Sequence, residues 1–386
     1  MSLLTRKRAI LSKIESTYAV DPTPTGSLDA LLISNLVVSP MEMTLAQRQN
    51  VKAYMGNNPN VMAAIYAKVS FDIEAAGSGT AGTAPSYNEL LRACAMSETI
   101  LASASTGTAT AGSAGSITLA AGASASDGAY AGMTINITGG TGSGQTAVIA
   151  SYTGSTKVAL LTAALGTVTD NTSVYNIPVQ VIYKPISAAL ESTTFYCNVD
   201  SVRHIMLGAR GTWALKLSAQ GIPMFSFTFT GLFAVPTDVT IPAVTLTTFA
   251  APLAVNNTNT TGLVVAGYTG GVVSDLSVDL ANTIVFRSLP GGTENVVMTD
   301  RKPAGSVTFE ATTVAAKDWW TYMKNVTLGL LSITHGTTAG NKLKIDTPQM
   351  QLTAPTYGDK DGITMVTVKC DFVPQNGNDE VVLCFL

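Results

Sequence analysis

Between Val272 and Asn325 the apolar residues twice fall on every second position and then once on a helical spacing. Leu276, Val278 and Leu280 alternate with Asp275, Ser277 and Asp279, and Val307, Phe309 and Ala311 alternate with Ser306, Thr308 and Glu310. A period of two sends successive side chains to opposite faces, so each segment predicts a strand with one buried and one wet face. Trp319, Tyr322, Met323 and Val326 then sit at i, i+3, i+4 and i+7, the spacing of one helix face. The stretch therefore predicts strand, long loop (281–305), strand and short helix.

The same order is legible nearer the start. LLISNLVVSP (31–40) predicts a strand, 41–67 a long connection, and KVSFDIEA (68–75) a second strand with Val69, Phe71 and Ile73 opposite Ser70, Asp72 and Glu74. A glycine-rich loop (77–85) leads to Tyr87, Leu90, Leu91 and Cys94, again at helical spacing. Later segments correspond as well: 192–200 with 330–336, the segment around GTWALKLS with 341–353, and the Phe225, Phe227, Phe229 strand with 363–372. Identities are few, so the repeat rests on the order of elements and the phase of alternation. Long β segments with one short helix in each half predict a mainly β chain built from two similar β-sandwich modules. Residues 105–178 differ in composition, nearly uncharged and rich in Gly, Ala, Ser and Thr, with short strands separated by turns such as SDGAY and TGGTGSG. They predict a small β-domain inserted in a host loop whose ends lie close together. The resulting division is an N-terminal arm (1–30), a first module (31–104 and 179–240), the insert (105–178), a linker (241–262) and a second module (263–386).

Several function classes find no support. Charged residues make up 12% of the chain, about half the usual share, which suits burial against other subunits. No apolar run approaches the ~18 residues needed to cross a bilayer. With a net charge of −3 and no basic stretch large enough, no phosphate-tracking groove is predicted. The start, MSLLTRKRAILSKIESTYAV, predicts an amphipathic arm rather than a secretory signal. The four cysteines are far apart with no CxxC, and predict reduced, mostly buried thiols. GGTGSGQT (139–146) has Gln145 where a phosphate-binding loop needs lysine, so it predicts a turn between strands. His204 and His335 have no ligand-bearing neighbours in sequence and predict half-exposed side chains; no GxSxG elbow is present. No catalytic, metal-binding or cofactor-binding residue is predicted. One polar pattern stands out: Asp72, Glu74, Asp275, Asp279 and Glu310 share the wet faces of strands. They are either a solvated sheet face or the acidic wall of a channel, which would repel phosphate and let a polyanion slide.

The chain resembles the major tail (tail tube) proteins of long-tailed, non-contractile bacteriophages. The resemblance is carried by KIESTYAVDPTPTGSLDALLISNL, EAAGSGTAGTAPSYNELLRACA, LGARGTWALKLSAQGIPMFSFTFTGLFAVPTD, TDRKPAGSVTFEATTVAAKDWW, LLSITHGTTAGNKLKID and PQNGNDEVVLCF, which span nearly everything outside 105–178. It implies a structural virion protein of the tail, assembled in the host cytoplasm, with no enzyme activity, cofactor or membrane partner. In that family each tube domain gives four strands to a barrel of about 24 strands around a DNA channel, so that neighbours complete every sheet edge. A duplicated tube domain then implies a ring of three chains with pseudo-sixfold symmetry, a hexamer being the alternative. Rings would stack around a tape measure protein, meet tail-end proteins, and pass viral DNA without sequence preference. The resemblance also assigns roles: Arg48, Lys52, Arg287, Arg301 and Lys302, on or beside the loops 41–67 and 281–305, as inter-ring contacts, and Arg6, Lys7 and Arg8 as arm contacts to a neighbour. A virion adhesin or carbohydrate-binding protein, or another tail component such as a terminator or decoration protein, is the alternative reading.

Overall fold

The alternation pairs as strands because it lets one row of apolar side chains leave water while every backbone group finds a partner across the ladder. The computed structural model describes residues 3–386. The elements in order are β1 (Arg8–Ile14), β2 (Ser34–Ala46), β3 (Val61–Glu74), α1 (Asn88–Ala93) and β4 (Met96–Leu101), followed by β5 (Ser105–Thr108), β6 (Ala111–Ser113), β7 (Ser116–Thr118), β8 (Thr134–Gly139), β9 (Thr146–Thr153), β10 (Val158–Leu161) and β11 (Val174–Ile177). Then come β12 (Gln180–Pro185), β13 (Thr193–Val199), β14 (Val202–Ser218), β15 (Met224–Phe233), β16 (Thr237–Asp238), β17 (Thr260–Val265) and β18 (Val273–Asp279). The chain ends with β19 (Asn282–Arg287), β20 (Asn295–Arg301), β21 (Ala304–Glu310), α2 (Trp319–Lys324), β22 (Leu328–His335), β23 (Leu343–Lys360), β24 (Ile363–Val373) and β25 (Val382–Phe385). The chain is mainly β, and its sheets are antiparallel.

Eight strands lie side by side as one ribbon in the order β2-β3-β15-β14-β18-β21-β24-β23. The seam between its halves is the β14–β18 ladder, which sets Leu215 opposite Val278, Lys216 opposite Ser277 and Leu217 opposite Leu276. β14 and β23 are long enough to serve two layers. The first part of β14 pairs with β13, which pairs with β1, while its last part joins the ribbon. The first part of β23 likewise pairs with β22, which pairs with β17, and its last part pairs with β24. The short strands β16 and β25 lie along β14 and β23 respectively.

One core fills the space behind the ribbon. Phe71, Trp213, Phe225, Phe227, Phe229, Val307 and Phe309 are buried in it together with Leu90 and Leu91 of α1 and Trp319 of α2. Phe71 meets Phe195 edge-on at 6.0 Å, and Trp213 meets Phe225 at 5.4 Å. Aromatic pairs of this kind add roughly 0.5–1.5 kcal/mol each beyond the area they bury. Residues 105–177 make a separate seven-stranded sheet, and its core also takes in Ile182 of β12 and Val382 and Cys384 of β25. The strands that lead into and out of it, β4 and β12, pair with each other, so the two ends of the segment are adjacent. Gln180 fastens the segment to its host: the Gln180 amide accepts from Thr134 N at 3.0 Å and donates to the Thr134 and Pro178 carbonyls.

Four local expectations are corrected. The strand expected at 31–40 runs from Ser34 to Ala46, and its partner begins at Val61, so the 41–67 connection shrinks to 47–60. The outer parts of both strands are exposed on both faces, which removes the one-sided hydrophobic signature that marks a strand in sequence. The expected loop 281–305 contains the β19–β20 hairpin, which turns over Pro290-Gly291 with Gly291 at φ +81. It lies against β14 and β15, with Phe286 stacked on Tyr66 at 5.1 Å. The helix expected to include Val326 stops at Lys324; Asp318 caps its start by accepting from Thr321 N at 2.9 Å, and Val326 is exposed with φ +52. Part of the expected N-terminal arm (1–30) is built into the fold: β1 is a sheet strand, and Glu15 anchors the following turn.

Candidate functional site

The ribbon has a dry face and a wet face, and the alternation decides which residue meets which. On the wet face lie Asp72 and Glu74 of β3, Asp275 and Asp279 of β18, and Glu310 of β21, as the alternation predicts. Asp72 accepts from Asn35 Nδ2 at 2.7 Å, and Asp279 accepts from Ala281 N at 2.7 Å. Burial pushes the Asp275 carboxyl up, but hydroxyl donation from Ser218 and Ser274, with Lys360 and Lys216 nearby, outweighs it and holds the group below the usual aspartate value. Serine and threonine ladders cross between the acids: Ser277 with Ser306 at 2.8 Å, Thr308 with Thr367 at 2.9 Å. Sequence reasoning missed the lysines of this face. Lys68, Lys216 and Lys369 occupy the same alternation phase, so the face is mixed in charge with acids in excess. The signal was available, since each lysine sits one position from a buried core residue, Val69, Leu215 or Val368.

Among the described residues the two edges of the ribbon are unpartnered. β2 pairs only with β3, through three register shifts, and carries Val37, Met41, Met43 and Leu45 exposed. The last part of β23, from Thr353 to Lys360, pairs only with β24, and Tyr357 on it is 65% exposed. Unpaired N–H and C=O rows of this length invite another strand. Beyond β2 and β3 the turn 47–60 projects with Val51 and Met55 fully exposed and Tyr54 largely so.

The predicted cations fall into two groups. Arg48, Lys52, Arg287 and Lys302 are at or near the surface; Lys52 donates to the Asn57 carbonyl at 3.1 Å, and Lys302 meets only Asp300, at 3.3 Å, on its own surface. Arg301 is different, because its guanidinium is turned inward. It pairs with Glu380 at 3.0 Å with both side chains about nine-tenths buried, and donates to the Ile186 carbonyl and Asn378 Oδ1. A side chain so engaged within its own chain is not free for a contact between rings. Of the three N-terminal cations, Arg8 donates to the Leu36 carbonyl and Lys7 lies 3.8 Å from Asp200, both within the chain; Arg6 is exposed.

Nothing at the other sequence signals assembles chemistry. Gly139–Thr146 is a turn between β8 and β9, closed by Gln145 on the Gly142 and Thr167 carbonyls. His335 is buried, a correction to its expected half-exposure: its Nε2 donates to the Leu253 carbonyl at 3.0 Å, which leaves Nδ1 to accept from Thr260 at 2.9 Å. All four cysteines are free and buried, and burial pushes the Cys197 and Cys370 thiols up to about 12. Trp319 is a core residue against Phe309, while Trp320 is exposed beside Tyr357. Among the described residues no group of three or more His, Cys, Asp or Glu is placed to hold a metal, and no helix is long and apolar enough to cross a membrane. Sequence reasoning also missed Glu15, a buried carboxylate that accepts from Ala19 N, Gly208 N, Ser192 Oγ and Thr194 Oγ1 at 2.6–2.7 Å. No protein-family model matches the chain, and no curated protein matches it.

Proposed function

We propose that this chain is a self-assembling structural protein, a tail tube protein of a long-tailed, non-contractile bacteriophage, with two tube domains in one chain. The observation that carries the reading is a set of pairings that occurs twice in the same chain order. β1·β13, β2·β3, β3·β15, β13·β14, β14·β15 and β14·β16 correspond one for one to β17·β22, β18·β21, β21·β24, β22·β23, β23·β24 and β23·β25. Each set has its helix after its third strand in chain order, α1 after β3 and α2 after β21. Eight ribbon strands per chain in a ring of three chains make the barrel of about 24 strands expected of such a tube.

The internal seam also supplies a template for the contact between chains. Trp213 lies in the row of Phe227 and Phe71, and Tyr357 in the row of Val366 and Phe309, so Lys216 corresponds to Lys360. Ser277 opposite Ser306 corresponds to Ser39 opposite Lys68. Because Lys216 faces Ser277 across the seam, Lys360 of one chain should face Ser39 of the next. The contact is heterologous and closes as a ring. The wet face then lines the lumen, where excess acid keeps DNA mobile, and the 47–60 turn reaches beyond the ring.

Electron microscopy of the concentrated protein should show rings or tubes with a lumen. A Ser39→Cys/Lys360→Cys double variant should form a disulfide-linked trimer under oxidation, since directly opposed strand residues come within reach of a disulfide. Either single variant should not. A chain that stays monomeric at high concentration overturns the reading; rings that form without the cross-link overturn only the register.

A further inference from the structure

Between the 105–177 sheet and the second set of strands lies a cavity of about 320 Å³, at the lower end of the range usual for small-molecule sites. Val148 and Leu165 wall it on one side, and Val264, Leu330 and Val382 on the other. Its charged groups are Lys184, Lys344, Asp346 and Asp379. Three of these already have partners, although Asp346 Oδ2 is approached by Lys344 without a well-formed hydrogen bond. Lys344 Nζ meets Asp346 Oδ2 at 2.8 Å, and Asp346 Oδ1 accepts from Ser332. Asp379 accepts from the Gln375 and Asn376 backbone N–H groups and from Asn376 Nδ2.

Lys184 is not matched. Among the described residues its ammonium makes no hydrogen bond and no ion pair, and the side chain is half-buried at the cavity wall. Its stem runs over Gly132, where a Cβ would lie 3.0 Å from Lys184 Cδ; Gly132 also has φ +85, which favours glycine there. Burial pushes the lysine below its ordinary pKa, with Asp379 opposing the shift. An ammonium that opens onto the cavity with unused donors can take an acceptor from a ligand.

We infer that this cavity is a binding site for a small organic acid with an apolar body, its carboxylate on Lys184 and its chain against the aliphatic walls. The inference is independent of the tube reading, since the cavity lies away from both ribbon edges.

Octanoate is the probe, titrated calorimetrically into the full-length protein. Saturable binding of one octanoate per chain is expected. Lys184→Met should weaken it by about tenfold or more, the loss expected for a charge-assisted hydrogen bond. Lys184→Arg, which keeps the charge, should stay within about threefold of the native chain, and 1-octanol should bind about as weakly as octanoate binds the Met variant. Circular dichroism melts of both variants check that the fold is intact. Absence of saturable binding, equal affinity for octanol and octanoate, or unchanged affinity in a folded Lys184→Met variant would each overturn the inference.

Discussion

Arg301 separates two accounts of the 281–305 segment, because they predict opposite results for its removal. If the arginine bonds to another ring, Arg301→Ala should weaken tubes and leave the single chain as stable as before. The structure places the side chain against Glu380 at 3.0 Å, with the two side chains 8% and 10% exposed, and against the Ile186 carbonyl and Asn378. Deleting one partner of a buried pair strands the other charge, at a cost of roughly 3–5 kcal/mol. The pair is itself incompletely satisfied: Arg301 Nε and Glu380 Oε2 find no hydrogen-bond partner. Replacing both residues by methionine should therefore return the chain to within about 1 kcal/mol of the native protein, or beyond it. The cycle is read as urea midpoints of dilute, unassembled protein, with the buried Trp213 as fluorescent reporter. A coupling energy on the order of 2–3 kcal/mol between the two positions is expected. An Arg301→Ala chain that unfolds at the native midpoint but fails to assemble would refute this reasoning and restore the contact between rings.

Glu15 offers a second test of hidden polar anchoring. Glu15→Ala leaves four donors without their acceptor and should cost about 3 kcal/mol or more, again by urea unfolding. His335 makes stability depend on pH. Burial holds its imidazole below the ordinary value of 6.5, although the Leu253 carbonyl favours the protonated ring. The unfolded chain therefore binds the proton first as pH drops, so the contribution is complete above about 6.5 and is lost as pH falls below it. His335→Gln should flatten that part of the native profile between pH 7.5 and 5; equal slopes for the two proteins would count against the assignment.

The strands of the ribbon were legible wherever one face is dry. Leu276, Val278, Val307 and Phe309 alternate with polar residues because water lies on one side only, and the same contrast placed Asp72, Glu74 and Glu310 on the wet side. Where that contrast fails, local sequence says little. The projecting parts of β2 and β3 are wet on both faces and read as a loop, and the β19–β20 hairpin read as a loop because its ladder is held against β14 and β15, partners far away in the chain. Both helices were visible from their apolar spacing, yet α2 ends before Val326, where the backbone turns left-handed.

Local periodicity thus determines which half-buried segments are strands and which side of each is apolar, because period and phase are properties of neighbouring residues. Tertiary structure decides the rest. Only the fold turns Arg301 inward, buries Glu15 among four donors, leaves Lys184 without an acceptor, and joins two four-stranded sets through β14 and β18 while leaving β2 and β23 open. Those outcomes depend on which distant groups come within hydrogen-bonding distance and which are shut off from water, and neither is encoded in the spacing of residues along the chain.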